Sequence, residues 1–170
     1  MRKETRLQRY AAKSSVARTM PVSITTLNFR HDANLAFVIR AAACFGASHV
    51  NVIGSVPERK ELKRLSGSMH DLVPIKQYSS IESYLEAVQD ELIFCFELCE
   101  ASKPLSKFQF NFSKPVNLVV GHEEIGTPNL LIIMANELIH IEMPGKGYCL
   151  NTAQTANIAL YEASKQYFCR

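Results

Sequence analysis

The chain has 170 residues, of which 47% are hydrophobic and 21% are charged, and its formal net charge is +3. This size and composition are typical of one globular domain with a sizeable core. No apolar run approaches the about 20 residues that a membrane-spanning helix requires, so we predict no membrane partner.

Positive charge is concentrated in residues 1–19, which we treat as a basic N-terminal arm before a domain over residues 20–170. The arm contains six basic residues and the single acid Glu4: Arg2, Lys3, Arg6, Arg9, Lys13 and Arg18. Three interpretations stay open, namely a solvated terminus, a phosphate-contacting segment and a mitochondrial presequence. Residues 3–17 show only a weak helical pattern.

The cysteines predict the compartment better than they predict a site. The chain has five of them, scattered along the sequence and without a secretory signal before them: Cys44, Cys95, Cys99, Cys149 and Cys169. An odd, scattered set argues for a reducing, cytoplasmic environment and against a disulfide framework. Neither the cysteines nor the histidines show zinc-site spacing, so we predict no metal.

Strands and helices alternate along the chain. Short β-branched or apolar segments predict strands over 20–27, 49–53, 72–75, 91–98, 116–120 and 137–142. The segments between them predict helices over 33–45, 58–65, about 81–88, about 128–134 and about 151–167. Predicted N-caps are Asp32, Ser80, Thr127 and Asn151.

The first long helix is strongly apolar and is predicted to end at Gly46. Its predicted core residues are Leu35, Phe37, Val38, Ala41, Ala42 and Phe45. Arg40 is the one charge within this apolar segment. It either reaches solvent from the edge of the helix or is directed at a phosphate through its planar guanidinium.

Most predicted strands are apolar runs, as expected where helices cover both faces of a sheet. We therefore predict a single α/β domain with a mostly parallel sheet covered by helices on both faces. Ligands bind such sheets at the carboxyl ends of the strands, where three polar, Gly-containing loops are expected, 28–34, 121–128 and 143–151. The last loop contains Pro144, Gly145 and Gly147, which favour a sharp turn and close approach to a ligand.

Individually, the polar residues of these loops have ordinary explanations. Asn34 could bond local backbone, Glu123 could interact with a helix dipole, and Asn151 could serve only as a cap. No GxGxxG, GxxxxGK[ST] or GxSxG motif is present. The order and spacing of the residues are more informative than any one of them.

Three motifs follow one another along the chain: Asn34-x5-Arg40-x5-Gly46, then Leu118-Val-Val-Gly121-His-Glu123-x2-Gly126, then Ile141-x-Met143-Pro-Gly145 followed by Leu150-Asn151. Over roughly residues 20–165, this arrangement resembles the SpoU-type (TrmH-like) RNA ribose 2′-O-methyltransferases of the SPOUT superfamily. The segment 66–68, Ser-Gly-Ser, is similar to the small-residue loop that this family has between its motifs.

The resemblance implies a deep C-terminal trefoil knot, S-adenosyl-L-methionine as cofactor, and a homodimer with RNA at the subunit interface. Threaded chains are rare, so the knot is expected from the resemblance alone. By the same match, one group of residues would bind the cofactor: Leu98, Gly121, Glu123, Ile141, Met143 and Leu150. Glu97 would form another part of the wall beside Leu98.

The resemblance also implies catalytic roles for Arg40, Asn34 and Asn151. Arg40 and Arg30, with Arg6 and Arg9 of the arm, would contact RNA, and tRNA is a more natural substrate than rRNA for so small a domain. We expect Arg40 to hold the target phosphate and stabilise alkoxide charge, because an arginine normally stays protonated.

The sequence departs from the family pattern at two positions. Cys149 and Ala153 stand where the family has serines, and a thiol is a weaker hydrogen-bonding group than a hydroxyl. Two alternatives therefore stay open. One is a catalytically weak paralogue that binds RNA or cofactor, and the other is a SPOUT relative that methylates a base or a protein.

Overall fold

The computed structural model describes residues 5–67 and 69–169, and only the backbone of Arg6, Leu7, Arg9 and Tyr10. Ser68, in the predicted small-residue loop, lies outside the described residues. No helix in the described part of the chain is long and apolar enough to cross a bilayer.

The fold is built on a parallel sheet, as predicted. Within the described residues its seven strands are β1 (Val22–Thr26), β2 (Val50–Ile53), β3 (Ile75–Tyr78), β4 (Leu92–Phe96), β5 (Lys103–Pro104), β6 (Val116–Val120) and β7 (Glu137–His140). Their order across the sheet is β3-β2-β1-β6-β4-β7-β5, and neighbouring strands are parallel throughout. The carboxyl ends of β6, β4 and β7 therefore lie side by side.

Helices cover both faces of the sheet. The described helices are α1 (Arg6–Ser15), α2 (Asp32–Phe45), α3 (Arg59–Ser66), α4 (Ile81–Ala87), α5 (Asn129–Met134) and α6 (Thr152–Phe168). Side chains of α2, α3 and α6 share one buried cluster with β1 and β6. Tyr84 of α4 and Leu131 of α5 belong to a second cluster with Val119, on the opposite face.

The structure differs from the predicted elements in three places. The third strand is β3, over Ile75–Tyr78, and a 3₁₀ turn over Met69–Asp71 precedes it, so the prediction of 72–75 was displaced. The two-residue strand β5 was missed. The weak pattern near the N-terminus is the helix α1, whose Thr5 hydroxyl accepts a hydrogen bond from the Gln8 backbone N–H in a capping box.

Two of the four predicted N-caps are confirmed. Ser80 and Asn151 each accept a hydrogen bond from a backbone N–H of the helix that follows. The cap of α2 is His31 rather than Asp32, and it makes no side-chain cap bond. Thr127 caps nothing, because α5 begins after Pro128 and the Thr127 hydroxyl is buried without a partner among the described residues.

The helix α2 ends at Gly46 as predicted, but not all of its apolar residues are in the core. Gly46 has φ 77°, and a Cβ there would lie 2.4 Å from the carbonyl oxygen of Arg18, so only glycine fits. Phe37 is 48% exposed, which makes its core prediction wrong. Arg40 and Cys44 are exposed on the same side of the helix.

Candidate active site

A cavity of about 220 Å³ opens at the carboxyl ends of β4, β6 and β7. All six predicted cofactor-binding residues line it, contributed by three separate loops: Leu98, Gly121, Glu123, Ile141, Met143 and Leu150. The parallel strand order brings these loops together, since residues that follow adjacent parallel strands meet at one edge of the sheet. Their role in binding stays a prediction.

The central wall of the cavity is the loop 121–127, which is folded tightly on itself. His122 and Gly126 exchange backbone hydrogen bonds of 3.0 and 3.1 Å, and Gly126 has φ 68°. A Cβ on Gly121 would lie 2.9 Å from the carbonyl carbon of Gly126, closer than atoms pack. Glycine at both positions is therefore required by the shape of the loop.

Glu97 holds this loop from the side of β4. One carboxylate oxygen accepts a hydrogen bond of 2.9 Å from the Thr127 backbone N–H, and the other accepts one of 3.2 Å from its neighbour Leu98. The sequence predicted Glu97 only as part of the wall. Its role as a loop anchor was missed, because nothing in the sequence shows where the carboxylate points.

Glu123 holds the same loop from the side of α2. Its carboxylate accepts a 2.6 Å hydrogen bond from the Asn34 side-chain amide and longer ones, 3.1 and 3.4 Å, from the backbone N–H groups of Arg30 and His31. Burial acts to raise the pKa of Glu123, but these hydrogen bonds outweigh it and hold the pKa below its ordinary value. The side chain is therefore an anion that joins the first motif to the second.

The third motif is joined to the other two through Asn151 and Thr152. The Asn151 amide donates to the Asn34 side-chain oxygen at 3.1 Å, while its own oxygen caps α6 by accepting from Ala153 N–H at 2.9 Å. The Thr152 hydroxyl donates to the Gly121 carbonyl at 2.8 Å. A continuous relay thus runs from Asn151 through Asn34 to Glu123 and fixes the ends of two helices against the cavity wall.

The hydrogen bonds of this relay bear on the catalytic roles that were predicted for Asn34 and Asn151. Asn34 is 7% exposed, and both its amide nitrogen and its oxygen are already hydrogen-bonded. Neither asparagine lines the cavity. Their geometry favours positioning of the loops over direct participation in a reaction.

Arg40 does not line the cavity. It lies six residues after Asn34 on α2, about 9 Å further along the helix axis at 1.5 Å per residue. Its side chain is exposed and forms no hydrogen bond or ion pair with any residue that the structure describes. Arg30 also lies outside the cavity, paired on the surface with Glu124. The side chains of Arg6 and Arg9 fall outside the described residues.

Cys149 lines the cavity and is exposed, so the departure from serine falls within the site itself. Ala153 is buried in the first turn of α6, where its backbone N–H meets Asn151. Near Gly145 and Gly147 the loop is open, because a Cβ on either would meet no atom within 4 Å. Packing against the protein's own atoms therefore does not require glycine at either position.

Within the residues that the structure describes, no group of three or more His, Cys, Asp or Glu side chains is placed to hold a metal ion. The cavity combines apolar walls, backbone groups and the two loop-holding carboxylates with imidazole, phenol, thiol and hydroxyl side chains, from His122, His140, Tyr148, Cys149, Thr152 and Thr155.

Comparisons with known proteins agree with the geometry. A family model described as the SpoU rRNA Methylase family matches residues 21–161. The 23S rRNA (uridine(2479)-2′-O)-methyltransferase of Streptomyces viridochromogenes is 27% identical over 139 residues, which are 78% of this chain and 48% of that protein. The tRNA (guanosine(18)-2′-O)-methyltransferase of Thermus thermophilus is 24% identical over 172 residues, 98% of this chain and 86% of that protein.

Among solved structures, an AdoMet-bound rRNA methyltransferase from Sinorhizobium meliloti is similar with a TM-score of 0.79 and 23% identity, covering 91% of this chain and 59% of that one. This likeness concerns the fold. The chain spans about half the length, or less, of three of the curated relatives that it matches, at 40%, 48% and 50%.

Proposed function

Because this chain belongs to the SpoU rRNA methylase family, we propose that it transfers a methyl group from S-adenosyl-L-methionine to a ribose 2′-hydroxyl of structured RNA. The observation that carries this proposal is the convergence of the three motifs. The Asn151–Asn34–Glu123 relay links one residue from each and stands at the wall of one cavity.

The residues at the cavity fit the cofactor. Leu98, Ile141, Met143 and Leu150 offer an apolar surface of the kind that receives a nucleoside. The buried Thr127 hydroxyl has no partner among the described residues. It lies beside Gly121 in the cavity wall, 3.0 Å from the position that a Cβ on that residue would occupy. When bound, the cofactor supplies an electrophilic methyl group on a sulfonium sulfur.

The protein's own part in the reaction is to orient the groups and to stabilise charge. The relay holds the cavity wall and the start of α6 in fixed positions. Arg40 is a protonated, exposed guanidinium without a partner among the described residues, so it is free to hold the target phosphate and to stabilise developing alkoxide charge. Asn34 and Asn151 act in positioning, with the target nucleotide near Asn151.

A homodimer is the assembly that this site needs. Arg40 lies outside the cavity of its own protomer, on the same side of α2 as the exposed Phe37. On α6, which packs against α2, Ile158 and Tyr161 are also 36% and 55% exposed. Exposed apolar side chains of this size are typical of a subunit contact, and burial of Phe37 in such a contact would bring a second copy beside Arg40.

We also propose the C-terminal trefoil knot. It is supported by the path of the chain, since residues 141–151 leave β7 at the far side of β4 and Thr152 bonds to Gly121 after β6.

A cytoplasmic location is supported by five cysteines that are all unpaired. For the substrate we favour tRNA over rRNA, because the Thermus relative that this chain nearly spans is named for tRNA methylation. Arg30, Arg6 and Arg9 would add contacts to its phosphates.

The second candidate function is a catalytically weak paralogue that binds RNA or cofactor without methyl transfer. It is favoured by Cys149, which lines the cavity where the family has a serine.

Two measurements on one protein preparation separate these functions. Calorimetric titration with S-adenosyl-L-methionine measures cofactor binding, and transfer of labelled methyl groups to bulk RNA measures turnover. We expect both binding and transfer. Cofactor binding without transfer to any RNA fraction would favour the paralogue. Absence of cofactor binding would contradict the proposed methyl transfer and would leave only a paralogue that binds RNA.

A further inference from the structure

The helix α3 carries a stripe of positive charge on its exposed side. Lys63 and Arg64 follow Lys60 by three and four residues, which is helical spacing, and all three are exposed. The inward side of the same helix is formed by Leu62 and Ser66, which are buried. The stripe is thus held outward by the packing of the other face.

This stripe leads to Arg40. Gly67, which follows α3 at the next position of the same stripe, has φ 64° and ends the helix. A Cβ built on Gly67 would lie 3.5 Å from an Arg40 guanidinium nitrogen. The residue that ends α3 therefore lies beside the one catalytic candidate that has no partner among the described residues.

Acidic side chains neutralise the stripe only in part. Glu61 pairs with Arg64, and Asp71 pairs with Arg59 on the adjacent side of the helix. Lys60 and Lys63 form no direct ion pair with a residue in the described part of the chain. The pKa of Asp71 is lowered mainly by its hydrogen bond from Arg59 and in small part by Lys63, so this acid partly offsets the Lys63 charge. The nearest remaining acid in sequence is Glu58, at the start of the helix. Like charges at this spacing disfavour a helix, and a bound anion would offset that repulsion.

We propose that the exposed side of α3 is an RNA-binding surface that continues from Arg40, with Lys63 and Lys60 contacting successive phosphates beside the target nucleotide. The stripe from Gly67 to Lys60 is about 10 Å long at 1.5 Å per residue. One strand of a duplex carries a phosphate about every 3.4 Å of its axis, so this length accommodates at least two phosphates. This inference rests on the proposed function, since it takes RNA as the substrate.

The test compares a double variant, Lys60→Gln with Lys63→Gln, with the wild-type protein and with a matched control, Lys107→Gln with Lys114→Gln. Glutamine keeps helix propensity and removes charge. Lys107 and Lys114 are also exposed, but they lie away from the cavity. Lys114 precedes β6, and Lys107 lines a surface pocket with Leu92 and Glu137, the first residues of β4 and β7. The probe is unfractionated tRNA, and its binding is measured between 50 and 200 mM salt.

Loss of two phosphate contacts should reduce the slope of log affinity against log salt by about 1.5. Between 50 and 200 mM salt, the ratio of wild-type to variant affinity should therefore change about tenfold. We expect the α3 variant to raise KM for tRNA while turnover at saturating tRNA and cofactor affinity stay unchanged, and the control to match wild type. If wild type methylates RNA and both variants show its salt slope, α3 is only a solvated basic face. If wild type binds no tRNA at any salt, this inference and the choice of tRNA as substrate both fail, whereas the proposed methyl transfer itself fails only if bulk RNA also receives no methyl group.

Discussion

Replacement of Glu123 by alanine should weaken both the fold and the site, because this carboxylate joins the first and second motifs. Its side chain is only 13% exposed and accepts the 2.6 Å hydrogen bond from Asn34. The variant leaves the Asn34 amide nitrogen, which is otherwise buried, without that partner.

The magnitude follows from the partners that are lost. A hydrogen bond to a charged group contributes about 1.5–3 kcal/mol, and an unsatisfied buried donor costs a similar amount. The backbone N–H groups of Arg30 and His31 lie near solvent and can bond to water instead, so they add little. We expect a loss of about 2–3 kcal/mol, or about 4–12 °C in Tm for a domain of this size.

The neighbouring Glu124 provides a matched control. It is 53% exposed and pairs with the exposed Arg30 side chain, so Glu124→Ala should cost under about 1 kcal/mol. Calorimetric unfolding measures the Tm of both variants, and titration with S-adenosyl-L-methionine measures their cofactor affinity. Cofactor affinity should fall only for Glu123→Ala, by about tenfold or more. Equal Tm values for the two variants would refute the relay as a structural link.

The same argument predicts a pH dependence. Because the pKa of Glu123 is lowered in the folded protein, its contribution is complete above the pKa of an unfolded glutamate, about 4.3, and is lost as pH falls through the lower folded value. The difference in stability between wild type and Glu123→Ala should therefore be constant from pH 7 to 5.5 and should shrink below about pH 4.3. A difference that grows on acidification would contradict this.

Three further predictions concern single positions. Arg40→Ala should keep cofactor affinity within about twofold and lower turnover about 100-fold at saturating RNA; unchanged turnover would make it a surface arginine. Cys149→Ser should raise turnover severalfold in the methyl-transfer assay, since a hydroxyl is the stronger hydrogen-bonding group, and a decrease would show that the thiol is itself required. Gly126→Ala should lower the free energy of unfolding by about 1 kcal/mol or more, because φ is 68° and Glu97 lies 3.1 Å from the added methyl group. Gly147 lies in open space, so Gly147→Ala should leave the free energy of unfolding unchanged.

Much of the fold could be predicted from the sequence, because most strands are apolar runs and most helices begin or end at recognisable residues. The prediction failed at the edges of the sheet. Strand β3 lies at one edge and carries Lys76 and Gln77, so no apolar run marks it, and the segment before it looked more like a strand. The other edge strand, β5, has only two residues and too little sequence to carry a pattern.

The general place of the cavity could be predicted, because ligands bind parallel sheets at the carboxyl ends of the strands. Its lining by Leu98, Gly121 and Ile141 was expected only from the family resemblance, since the sequence does not show that β6, β4 and β7 are neighbours. The relay through Asn34, Glu123 and Asn151 could not be predicted. It depends on how α2 and α6 are rotated about their axes, which is set by packing rather than by spacing. Exposure of Phe37 was missed for the same reason, since an apolar pattern does not distinguish a helix face in the core from an apolar face that is exposed.

The central claim is methyl transfer to a ribose hydroxyl of RNA. The most direct test is nucleoside analysis by mass spectrometry of tRNA after incubation with the protein and isotopically labelled S-adenosyl-L-methionine. We predict that the label appears in a 2′-O-methylated nucleoside, and that Arg40→Ala abolishes most of it. Label on a base, or no labelled nucleoside from a protein that binds the cofactor, would contradict the claim.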